Sequence, residues 1–186
     1  MKSSAESNKN KTRDIVFIAL FAVLMAVCSW ISIPTAIPIT MQTFAVFLTL
    51  NFLGGKNGTV SVCIYLLLGL IGLPVYANFT SGVGMLFGMT GGYMIGWIFS
   101  GLVMWLCEKL LGRKLWAQAI SMLIGLIICY IAGTAWFMIV YAHNTGPVGV
   151  WTALLWCVVP FIIPDIAKLG LALWISQRFE KIIVSM

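Results

Sequence analysis

Apolar residues fill six runs of this chain, over 15–31, 39–53, 60–76, 85–107, 115–142 and 150–175, separated by short polar or glycine-rich connections. Crossing a hydrocarbon core of about 30 Å takes about 20 helical residues. The longer runs reach or approach that length, and the short second run crosses only if its neighbours shield it. The pattern predicts an all-α membrane protein of six transmembrane helices in a single domain over 1–186, with residues 1–12 as a basic cytoplasmic tail.

Composition and charge sharpen this picture. Hydrophobic residues make up 61% of the 186 positions and charged ones 9%, against roughly 25% charged in soluble domains. Lys2, Lys9, Lys11 and Arg13 precede the first run, and Lys56 lies between the second and third. Lys109, Arg113 and Lys114 follow the fourth, and Arg178 and Lys181 the sixth. The alternate connections, around 32–39, 77–84 and 143–149, hold no Lys or Arg. The positive-inside rule then puts both termini in the cytoplasm. The net charge of +6 is topological and calls for no nucleic-acid partner, although the tail also suits anionic membrane lipid. No A-x-A cleavage pattern follows the first helix, so it is expected to stay as a span. The five cysteines (28, 63, 107, 129, 157) are scattered through apolar runs and read as small buried hydrophobes.

Two connections stand out. The first carries Pro34 and Pro38, then Thr40, Gln42 and Thr43; the prolines favour an extended segment, and the polar trio precedes or caps helix 2. The stretch 72–92 is too glycine-rich for a regular helix yet carries no charge. It is expected to fold over the helices on the extracytoplasmic side, between helices 3 and 4, as a lid or pocket wall. Helix 4 carries Gly92, Gly96 and Ser100 at four-residue spacing, a smooth stripe read as internal packing. Helix 1 carries Ala19, Ala22 and Ala26, which suit either internal packing or a docked subunit.

Familiar catalytic equipment is missing. Gly54-Gly55-Lys56-Asn57 lacks the upstream glycine and the Ser or Thr of a phosphate-binding loop, so any ATP-driven step belongs to another chain. There is one histidine, His143, and no H-E-x-x-H or G-x-S-x-G; neither an enzyme nor a metal site is expected, and no cofactor is implied. Asp165 and Lys168, by contrast, lie inside the last apolar run, three residues apart and just after Pro160 and Pro164. That spacing puts both on one helix face. Intramembrane charge is costly and marks function by default: the pair either neutralises itself or serves a ligand. Apolar walls with a few placed polar groups suit a small amphiphilic ligand. Polar candidates are Gln42, Thr43, Asn78, Thr80, Thr90, Tyr93, Asp165 and Lys168, and aromatic ones Tyr76, Phe79, Phe87, Trp136, Trp151 and Trp156.

Several blocks in order resemble one family: ALFAVLMAV (19–27), PITMQT (38–43), GLPVYA (72–77), GMTGGYMIGW (88–97), IAGTAW (131–136) and PFIIPDIAKL (160–169). The chain resembles the BioY family, biotin-specific substrate-binding (S) components of energy-coupling factor (ECF) transporters. The resemblance covers about residues 13–178. It implies six helices in a bacterial cell membrane, capture of biotin from outside, and inward release driven by a module of one transmembrane T subunit and two ATPases. It implies that Ala22 and Ala26, with Ala19, meet the T subunit, and that the pocket draws on Asn78, Gly91, Tyr93, Gly133, Trp136, Asp165 and Lys168. In the expected pose Asp165 and Lys168 grip the ureido ring and Asn78 completes its contacts. Tyr76, Phe79, Tyr93 and Trp136 pack on the bicycle, while Gln42 and Thr43 face the carboxylated tail. The alternatives are an S component for another vitamin and a membrane scaffold without a ligand.

Overall fold

The computed structural model describes residues 2–33 and 39–184, and among these the side chains of 11–33 and 39–179. The segment of Pro34 and Pro38 and the side chains of Lys2, Lys9 and Lys181 lie outside the described residues. Helix α1 (Lys2–Trp30) leads through a two-residue antiparallel pairing of β1 (Ser32–Ile33) with β2 (Ile39–Thr40) into α2 (Gln42–Leu70). A 3-10 turn (Ala77–Phe79) and a one-turn helix α3 (Val83–Leu86) precede α4 (Gly91–Leu111) and α5 (Leu115–Asn144). The short α6 (Val150–Cys157) and α7 (Val159–Val184) end the chain. Five of these helices are long and apolar enough to cross a membrane.

The element boundaries depart from the expected six in three places, each for a local reason. Helix α1 begins at Lys2 and takes in the basic tail, because residues 2–13 hold no Gly or Pro to stop it. The fourth run loses its start to the glycine-rich connection, and α4 begins only at Gly91. The last run splits at Val158, whose φ of −121° leaves the helical region, just ahead of Pro160. The expected second and third helices are the two arms of α2, which meet at Gly54 (φ 78°, ψ 167°). That left-handed φ suits glycine alone. The two arms fold back on each other: Gln42 Nε2 donates to Tyr65 Oη, and a Cβ on Gly58 would sit 3.0 Å from Leu50 Cα. Residues 23 apart could not touch in a straight helix.

The turn at Gly54 is held by polar groups. Gly55 N donates to Glu108 Oε2 at 2.7 Å, and Arg113 Nη2 donates to the Asn51 carbonyl at 2.6 Å. Glu108 also pairs with Arg113 Nε at 3.5 Å. The Gly-Gly-Lys-Asn stretch is therefore a bend clamped to the α4–α5 junction.

Small residues set the helix seams. Gly96 faces Cys129 and Gly125 faces Ser100, each with a Cβ position 2.9 Å from its neighbour's side chain. Ser100 Oγ donates to the Gly125 carbonyl at 2.7 Å. The stripe of Gly92, Gly96 and Ser100 is thus the α4–α5 contact, the internal packing expected of it. Ala22 and Ala26 are buried in the core with Met25, Ala45, Val62 and Tyr65, while Ala19 is exposed. Large apolar side chains such as Leu67, Ile127, Ile139 and Trp174 remain exposed around the perimeter, where hydrocarbon would solvate them.

The candidate ligand cavity

The second turn of α7 sets the stage. Pro164 lies inside the helix and supplies no N–H, which frees a backbone acceptor one turn back. Asp165 and Lys168 follow on the inward face, 4% and 8% exposed. Lys168 Nζ donates to Asp165 Oδ1 at 2.9 Å, and Tyr130 Oη, from α5, donates to Oδ2 at 2.8 Å. Both carboxylate oxygens are thereby engaged. An ammonium has three donors, so Lys168 keeps capacity beyond the one bond to Asp165.

This triad closes the deep end of a cavity of about 320 Å³, at the lower end of the range for small-molecule sites. Its walls are Met94, Trp97, Leu126, Cys129, Cys157 and Phe161. At the end beneath the 72–90 connection, the lining passes to Thr40, Gln42, Thr43, Tyr76, Ala77, Met85, Thr90 and Tyr93. Tyr93 Oη and Thr134 Oγ1 lie 3.0 Å apart, and Tyr76 Oη donates to the Leu66 carbonyl at 2.6 Å. Burial pushes the Tyr76 phenol up to about 12, so it stays a neutral donor. Among the described residues, no cluster of His, Cys, Asp and Glu could hold a metal, and the five cysteines are free thiols.

Six of the eleven ligand-site candidates line this cavity: Gln42, Thr43, Tyr76, Tyr93, Asp165 and Lys168. The other five surround it. Asn78 and Phe79 both have left-handed backbone, with φ of 56° and 59°. That twist turns the Asn78 amide oxygen toward Ser32 Oγ, which donates to it at 2.8 Å, and stacks Phe79 on Trp30 at 4.9 Å. Phe79 is 63% exposed and is not among the lining residues of the cavity. Gly91 lies under the Leu86 carbonyl, and Gly133 is the seat of the Tyr93 ring, 2.2 Å from where a Cβ would stand. Trp136 covers Gly92 and donates its indole N–H to the Gly88 carbonyl at 3.0 Å. Of the remaining aromatic candidates, Trp151 and Trp156 are exposed on the perimeter.

Tyr130 is the residue that the sequence reading misses. It lies 35 positions from Asp165, so no spacing connects them. The available signal is a phenol in mid-helix, since a buried tyrosine hydroxyl usually has a partner. Tyr130→Phe strips Asp165 Oδ2 of its donor, at a cost of about 1–3 kcal/mol for an unsatisfied buried acceptor. Thermal unfolding of the purified variant is expected to show a lower midpoint; an unchanged midpoint would mean that Oδ2 finds another donor.

The connection over the cavity is tied to helix α1. Ser29 Oγ donates to the Val75 carbonyl at 2.7 Å and Trp30 Nε1 to the Pro74 carbonyl at 2.9 Å. Tyr65 Oη also donates to Val75, at 3.0 Å. These bonds hold 74–79 as a wall beside the cavity.

The sequence and the fold recur in known proteins. The chain is 38% identical to the biotin transporter BioY of Thermotoga maritima, over 91% of this chain and 97% of that one. It is 34% identical to the probable biotin transporter BioY of Pyrococcus horikoshii, over 91% and 98% of the two chains. The crystal structure of the S-component for biotin from an ECF-type ABC transporter superposes with a TM-score of 0.81, at 28% identity and 94% coverage of each chain. The family model of the BioY family matches residues 1–185, and the chain belongs to that family.

Proposed function

We propose that this chain is a biotin-binding S component, a multi-pass membrane subunit that captures the vitamin and passes it inward when an ECF module acts. The observation that carries this reading is the net-neutral Asp165–Lys168–Tyr130 triad, with Lys168 donors to spare, lining an apolar cavity. Biotin's ureido ring offers N–H donors beside a carbonyl acceptor, and its thiophane is apolar. Asp165 accepts from a ureido N–H, and the spare donors of Lys168 reach the ureido carbonyl. Bonds to charged partners are roughly twice as strong as neutral ones, and a dry pocket preserves that strength. Tyr76, Tyr93 and Trp97 pack on the bicycle, and the tail runs toward Gln42, Thr43 and Thr90. Gly91 and Gly133 serve by making room, while Asn78, Phe79 and Trp136 hold the connection that covers the ligand.

The single domain crosses the membrane six times with both termini in the cytoplasm. Two features support that reading: the fold-back at Gly54, which turns α2 into two crossings, and the alternation of Lys and Arg between connections. The energising partner, a T subunit with two ATPases, meets helix α1 through Ala19 and its exposed neighbours Leu20 and Val23. Ala22 and Ala26 act from beneath by keeping α1 close to α2.

The test is equilibrium binding of biotin to the purified full-length chain, beside a panel of other vitamins. Saturable biotin binding is expected, with stabilisation of several kcal/mol at saturating ligand. Stabilisation by another vitamin alone would reassign the substrate, and no response to any would point to a scaffold.

A further inference from the structure

We propose that this site recognises the head of its ligand and is indifferent to charge on the tail, so that uncharged biotin amides bind nearly as well as the free acid. The inference rests on the biotin reading above and concerns the other end of the molecule. Between Arg13 and Arg178 the chain holds five Lys and Arg residues: Lys56, Lys109, Arg113, Lys114 and Lys168. The first four cluster around the Gly54 turn and the α4–α5 junction. The cavity end of α4 is Gly91, and this helix of 21 residues separates the two ends by about 30 Å at 1.5 Å per residue. Lys168 alone can meet a ligand anion, and it lies at the deep end, 2.9 Å from the Asp165 carboxylate. That carboxylate is itself held by Tyr130.

Among the described lining residues, the polar side chains offered to a ligand carboxylate at the opposite end are neutral: Thr40, Gln42, Thr43, Thr90 and Tyr93. One of these is partly spent, since the Gln42 amide already donates to Tyr65. His143 is exposed and does not line the cavity. An ion moved out of water without a counter-charge is penalised more than a neutral amide. Hydroxyl groups can donate to an amide carbonyl or accept from its N–H as readily as they bond a carboxylate. A primary amide has the heavy-atom count of the acid, so this substitution changes charge without size.

The experiment is displacement of radiolabelled biotin from the full-length chain in lipid nanodiscs by biotin and by biotinamide. Biotinamide is expected to compete within tenfold of biotin, and Lys168→Met to weaken acid and amide by the same factor. A loss of tenfold or more for biotinamide overturns the proposal, and an acid-selective loss in Lys168→Met would show that the lysine grips the tail. In either case labelled biotin still binds, so the biotin reading survives. Absence of biotin binding altogether removes both.

Discussion

Lys168→Met is expected to unfold the chain more easily and to weaken biotin binding at least tenfold. Its ammonium and the Asp165 carboxylate are 2.9 Å apart with side chains 9% and 5% exposed. Removing one member of a buried pair leaves the other charge uncompensated, which costs about 3–5 kcal/mol. A buried hydrogen bond to a ligand adds a loss of about 1.5 kcal/mol in affinity. The two effects separate in the double variant Asp165→Asn/Lys168→Met. With both charges gone, stability is expected to return to near that of the parent, because a neutral pair carries little desolvation cost. Binding is not expected to return, because the head-group donors and acceptors have changed. Thermal unfolding and biotin titration of the parent, the two single variants and the double variant give the complete cycle. Biotin affinity within twofold of the parent in Asp165→Asn would sink the assignment of that carboxylate to the ureido ring.

Gly55→Ala is the second large effect, and it lies far from the ligand. A Cβ there would stand 2.1 Å from Trp105 N and 2.3 Å from Trp105 Cα. Backbone atoms of a helix cannot step aside as the end of a side chain can. The two helices must separate, and the 2.7 Å bond from Gly55 N to Glu108 goes with them. Overpacking of this kind costs about 3 kcal/mol or more. Gly170→Ala is the matched control, because nothing lies within 4 Å of its Cβ position. There alanine is expected to stabilise helix α7 by about 0.5–1 kcal/mol. Thermal midpoints of the two variants in the same detergent should therefore move in opposite directions; a Gly55→Ala midpoint equal to the parent would refute the close α2–α4 approach.

The paired polar residues of helix α7 were the most legible part of the site. Two charges in an apolar run are conspicuous, and a spacing of three residues places them on one face of a helix, so their contact follows from the helix itself. Tyr130 was hidden because its partner lies on another helix. The family resemblance implies ligand contacts for Asn78 and Phe79. Their left-handed backbone, which no motif announces, places them against Ser32 and Trp30. Gly133 was read as a contact also, and its place beneath the Tyr93 ring shows that a glycine can shape a cavity without lining it.

Hydropathy and charge placement are sums over local residues, so the sequence alone established the class of the chain, its apolar segments, the glycine-rich connection and the buried Asp–Lys pair. They also placed a connection around Lys56 between the second and third runs, and the structure adds that the reversal is made at Gly54 and clamped by Glu108 and Arg113. The same sums could not choose a role for the helix 1 alanines. Burial of Ala22 and Ala26 against α2, with Ala19 left outside, depends on which side of α1 the neighbouring helix occupies. Only tertiary packing brings Tyr130 to Asp165 and closes an apolar cavity around them, because that contact joins helices whose residues are far apart in the chain.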